Sequence, residues 1–191
     1  MNILKTMTAV LAIASVQVYA AGVIGADDAG IIARASAELR KIAKHFQQNA
    51  GDVNKAYNDL NSQDTKPDTT SVVDTLSRIQ SDNGRFTCVE DGVIKVDLDP
   101  ANLGKSADEI FVNAKGERLL GEFVSKLEKS SDEVVTATHQ LSTSSKDPSD
   151  NSKTINEERV YVVFGRAALL GPKLSKKTHK KFMCFVSKPL R

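Results

Sequence analysis

The sequence predicts an α+β fold, with two long amphipathic helices packed on a small, mainly antiparallel sheet and tied by one disulfide. Three observations predict it. Residues 27–60 and 117–141 carry apolar side chains at helical spacing. Short β-rich runs at 85–98, 160–164 and 182–186 lie between turn signals. The two cysteines of the chain, Cys88 and Cys184, each fall inside one of those runs.

In the first helical segment Ile32, Leu39, Phe46, Val53 and Leu60 recur every seven residues, and Ala35, Ile42 and Ala56 fill the second seam position. The pattern predicts one amphipathic helix, or two collinear ones interrupted at Gly51. Asp27 and Asp28 suit its positive N-terminal end. A polar linker with Pro67 covers Ser62–Thr70, and a short helix follows from Ser71 to Gln80 on Val72, Val73, Leu76 and Ile79. Asp82-Asn83-Gly84 is a turn signal. From Arg85 to Leu98 the chain alternates and reads as extended, with Glu90-Asp91-Gly92 turning one strand into the next and Asp99-Pro100 stopping it.

Residues 108–124 admit two readings. Asn113-Ala114-Lys115-Gly116 fits a hairpin turn between Ile110-Phe111-Val112 and Leu119-Leu120. Alternatively a helix starts at Glu117, since Leu120, Leu127, Val134 and Leu141 again recur every seven residues, supported by Phe123, Val124 and Ala137. The helix, from about Glu117 to Leu141, is the favoured reading and would be an antiparallel partner for the first. Ser142–Thr154 reads as a loop. Val160–Phe164 is a buried strand ended by Gly165, Ala167–Leu170 reads as a second, Gly171-Pro172 is a breaker, and Phe182–Val186 is the last strand. This gives a signal peptide at 1–20, a helical region at 21–82 and an α+β region at 83–191.

The first twenty residues have the form of a cleavable secretory signal. Lys5 supplies a positive charge, Met7–Val18 an apolar run too short to span a bilayer, and Val18-Tyr19-Ala20 a small-residue cleavage site before Ala21. The expected location is secreted, or periplasmic in a bacterium. Export to an oxidising compartment predicts a Cys88–Cys184 disulfide, and no ligand spacing points to a metal or another cofactor.

Charge is divided along the chain. Residues 1–158 hold 17 basic and 24 acidic residues, whereas 159–191 hold nine basic and none acidic. Lys173, Lys176, Lys177, Lys180 and Lys181 cluster around His179. Such a block points to a polyanion partner, a heparin-like glycan or RNA, with few aromatic residues between the lysines for base stacking. There is no Gly-rich phosphate loop, no His-x-x-x-His and no nucleophile elbow, so no catalytic residue is assigned. His45 and His139 read as helix residues, and His179 is the one histidine in a plausible site, its neighbouring lysines favouring the neutral imidazole.

The arrangement Phe86-Thr87-Cys88 with a second cysteine near the C-terminus resembles the aromatic-x-Cys pattern of the ribonuclease-like secreted effectors of fungal plant pathogens. Arg159–Phe164, Leu170-Gly171 and Phe182-Met183-Cys184 are similar to the closing strands and terminal half-cystine of that family. The likeness covers about a third of the chain, and here a long helical stretch precedes Cys88. It implies a signal peptide, a helix packed on an antiparallel sheet, and commonly no catalytic residues. The expected function is a secreted, non-enzymatic interaction protein, a microbial effector that binds a host partner or polyanion. The alternatives are a secreted ribonuclease-like enzyme and a helical carrier of lipid or another hydrophobic ligand.

Overall fold

A computed structural model describes residues 26–49, 52–62, 69–131, 133–144, 154–171 and 181–190. The signal segment, most of the 62–70 linker, most of the 142–154 loop and the lysines before Lys181 lie outside the described residues. The elements run α1 (Ala26–Gln48), α2 (Val53–Ser62), α3 (Thr70–Ser81), β1 (Arg85–Glu90), β2 (Val93–Asp97), α4 (Ala107–Ile110), α5 (Leu119–Lys129), β3 (Val134–Ser144), β4 (Thr154–Gly165), α6 (Arg166–Leu170) and β5 (Phe182–Pro189), with a 3-10 turn at Pro100–Asn102. The α+β class and the disulfide stand as the sequence predicts.

The five strands form one sheet in the order β2-β1-β5-β4-β3, and every neighbouring pair is antiparallel. Side chains alternate between its faces. On β1, β3, β4 and β5 the even-numbered apolar residues, among them Phe86, Cys88, Val162, Phe164, Cys184 and Val186, pack under α1, α2, α3 and α6. The odd-numbered ones, Val89, Ala137, Tyr161, Val163 and Phe185, pack under α4 and α5. The sheet is thus the middle layer of three, with apolar residues buried on both its faces.

The β1–β2 hairpin turns through Asp91 and Gly92, both at positive φ, which a two-residue turn of the primed type requires. On β2 the register slips by one residue, leaving Lys95 as the extra residue of a bulge. Ile94 and Val96 would share a face in a regular strand. The bulge sends them to opposite faces, and each is buried in a different half of the core. The Lys95 carbonyl accepts a hydrogen bond from Asn61 Nδ2 at 2.8 Å, which ties α2 to this edge.

Cys88 and Cys184 stand directly opposite each other on β1 and β5. The Asp91 amide donates to the Lys181 carbonyl, so the odd-numbered residues of these two strands exchange the ladder bonds. Cys88 and Cys184 therefore occupy a pair without hydrogen bonds, where antiparallel strands approach most closely; their Cα atoms are 4.0 Å apart.

Three expectations are corrected. The second long helix is the largest: α5 ends at Lys129, and Val134–Leu141 belong to β3. The β-branched run Val134-Val135-Thr136 prefers the pleated sheet, and Glu133 at φ 50° breaks the helical path. The turn at Asn113–Gly116 is also real, closed by a bridge between Val112 and Arg118, so hairpin turn and helix follow one another there. Lying on the opposite face of the sheet, α5 does not pair with α1. Second, α1 and α2 are not collinear. His45 Nε2 lies 3.3 Å from Asp59 Oδ2 and the Phe46 and Tyr57 rings are 5.8 Å apart, whereas fourteen residues of straight helix would separate His45 from Asp59 by about 21 Å. Third, residues 167–170 are helical, as their alanines and leucines favour.

Candidate polyanion-binding surface

Of the residues expected to hold a polyanion, Lys181 is described, while Lys173, Lys176, Lys177, His179 and Lys180 lie outside the described residues. The segment that carries them is flanked by two fixed stems. On one side, α6 is closed by Gly171 at φ 78°, a conformation that favours glycine. On the other, the Lys181 amide donates to Asp91 Oδ1 at 2.8 Å while the Asp91 amide donates to the Lys181 carbonyl at 2.8 Å. The exposed Lys181 side chain is thereby placed at the end of the sheet where the β1–β2 turn lies.

Beside that stem is a shallow open cleft of about 190 Å³, lined in part by Leu127, Glu128, Glu133, Arg166, Lys181 and Phe182. Its charges are mixed. Glu133 Oε2 accepts the Ala167 amide at 2.6 Å and so closes the N-terminus of α6, and the Glu133 carbonyl accepts the Gly165 amide at 2.6 Å. Gly165 is required here, because a Cβ would sit 2.6 Å from Glu133 Oε2 and 2.9 Å from Glu133 Cβ.

The structure separates His139 from this end. His139 lies on β3, not on a helix, as the cross-strand partner of Arg159. Six residues of strand, about 20 Å, divide Arg159 from Gly165. Glu122 Oε2 is 3.2 Å from His139 Nε2 but off the hydrogen-bonding direction. Burial pushes the His139 imidazole below its ordinary range; Glu122 opposes that, Lys126 adds to it, and Glu117 opposes it. Arg159 is buried, joined to Glu157 at 2.7 Å and to the Asn83 carbonyl at 2.6 Å. Next to it on β4, burial pushes the Tyr161 phenol up to about 12. His45 is buried against Asp59 under the helix layer.

Among the described residues no group of three or more His, Cys, Asp or Glu side chains is arranged to hold a metal ion, and no helix is long and apolar enough to cross a membrane. No protein-family model matches the chain, and no curated protein matches it.

Proposed function

We propose that this is an exported, non-enzymatic interaction protein, and that the basic segment from Lys173 to Lys181 is its contact surface for an anionic partner. The observation that carries the reading is the pair of stems. A run dense in lysine leaves α6 at Gly171 and re-enters the sheet at Lys181, where two backbone-level bonds to Asp91 fix its end. The two stems themselves stand on a disulfide-braced sheet. Such binding is mainly electrostatic and falls steeply with salt. The test is retention on immobilised heparin. Changing Lys176, Lys177, Lys180 and Lys181 to Gln is expected to lower the eluting salt concentration while the circular dichroism spectrum and Tm stay unchanged. Identical low-salt elution of both proteins would refute the reading.

A ribonuclease-like activity is the second reading. One observation favours it: His139, Glu122, Arg159 and Glu157 gather on the face of the sheet away from α1, a base, two acids and a cation in adjoining positions. Turnover of RNA by the wild type, abolished in His139→Gln, is its test.

A further inference from the structure

The charge division along the chain conceals a second basic surface. On α1 the exposed positions from Ala33 to Gln48 are Ala33, Arg34, Ala37, Arg40, Lys41, Lys44, Gln47 and Gln48: four cations and no acid. The acid of that stretch, Glu38, is turned inward, with Oε1 2.8 Å from the buried Lys188 Nζ. Among the described residues none of the four cations has an acidic partner within ion-pair distance. At 100° per residue they fall within an arc of about 120°, and Arg34 and Lys44 are separated by about 15 Å along the axis. The opposite side of α1 is in the core, so this face cannot turn inward to find partners.

The helix that carries this face also meets the two stems of the lysine segment. At the C-terminal end of α1, the Phe46 ring lies 5.2 Å from that of Phe182, the residue after Lys181. The other stem, α6, packs against α1 as well. Both stems of the basic segment therefore touch the buried side of α1, opposite the four cations.

We propose that Arg34, Arg40, Lys41 and Lys44 of α1 form a second binding surface, separate from the Lys181 stem, for a flexible sulfated polysaccharide. The inference rests on the polyanion reading above and adds to it the helix face and the class of polymer. Two features select the polymer. The α1 face has no aromatic ring on which an unpaired base could stack. It is also convex, with its cations spread round the helix. A stiff duplex touches such a surface along a line, whereas a flexible chain bearing sulfates bends round the arc and reaches all four cations.

The test measures heparin affinity of the secreted protein as a function of NaCl. Four variants accompany the wild type: R34Q/R40Q/K41Q/K44Q on the helix, K176Q/K177Q/K180Q/K181Q in the segment, A33K/A37K adding two cations to the same face, and K105Q/K115Q as a control elsewhere. The helix variant is expected to bind at least tenfold more weakly near physiological salt, its log-affinity against log-salt slope shallower by about 3 for four lost contacts. A33K/A37K is expected to bind more tightly with a steeper slope, a gain that misfolding cannot produce, and the control to stay within twofold. If the segment variant loses affinity while the helix variant and A33K/A37K match the wild type, the α1 surface is refuted and the function reading stands. If the wild type itself does not bind, both are refuted. If duplex RNA of equal charge binds more tightly than heparin, and loses that affinity in the helix variant, the choice of a sulfated polysaccharide is overturned.

Discussion

Lys188 is a buried lysine with two carboxylates, and its replacement should have a calculable cost. Its Nζ lies 2.8 Å from Glu38 Oε1 on α1 and 2.9 Å from Asp82 Oδ2 beyond α3. Asp82 is half exposed, so losing the lysine lets it relax into water, at a cost below about 0.5 kcal/mol. Glu38 is only 12% exposed and its second oxygen, Oε2, has no hydrogen-bond partner. Lys188→Met therefore leaves a carboxylate under the helix layer with no cation. Breaking a buried pair on one side costs about 3–5 kcal/mol, and the small residual exposure of Glu38 places the expectation near 3 kcal/mol. For a chain of this size that is a fall in Tm of roughly 6–12 °C. Glu38→Leu/Lys188→Met removes both charges and fills the space with apolar atoms, so it is expected within about 1 kcal/mol of the wild type. Urea denaturation of the wild type, both single variants and the double gives the coupling energy, expected at 2 kcal/mol or more. A coupling below about 0.5 kcal/mol, with the double variant as unstable as Lys188→Met, would show that the pair is not what holds this corner of the fold.

Two further perturbations probe separate parts of the core. Burial raises the Tyr161 phenol to about 12, above the value near 10 of an unfolded chain, so the fold favours the neutral form. Its contribution is complete below pH 10 and is lost as pH rises through 12, about 2–3 kcal/mol in all; urea titrations at pH 8 and 11.5 should show the stability of the wild type falling towards that of Tyr161→Phe, and a constant difference would refute it. Gly165→Ala should cost about 1–3 kcal/mol, because the new methyl displaces Glu133 from the Ala167 amide, and a Tm within 1 °C of the wild type would show that Glu133 moves aside freely.

Local chemistry made the middle and end of the fold legible. The Asp91-Gly92 turn, the apolar spacing of Val72, Val73, Leu76 and Ile79, the valine-rich run at 160–164 and the apolar, aromatic run at 182–186 each point to one structure, and the two cysteines follow from the strands that hold them. Periodicity misled where it crossed a boundary. Leu120 and Leu127 keep their seven-residue spacing from Val134 and Leu141, yet the first two lie on α5 and the second two on β3. In such a case β-branching at Val134, Val135 and Thr136 is the better signal than a heptad count. The seam from Ile32 to Leu60 is apolar and faces the core, but a seam does not record a reversal of direction, and the return of α2 over α1 is set by contacts such as Phe46 with Tyr57 and Phe182. The basic face of α1 was hidden by averaging. Its cations sit in the acidic part of the chain, and the inward turn of Glu38 appears only once Lys188 is placed beneath it.

The position of β5 bears on how the protein must be made. The strand synthesised after the other four lies at the centre of the sheet, between β1 and β4. Each hairpin, β1–β2 and β3–β4, can close on its own from neighbouring sequence, but no strand pairs with both until residues 182–189 arrive. A nascent chain lacking those residues holds two separate ribbons, each with an open inner edge, and a cysteine at position 88 still waiting for its partner 96 residues away. Assembly of the sheet is thus deferred until residues 182–189 have been synthesised, and their loss removes the centre of the sheet and not its margin.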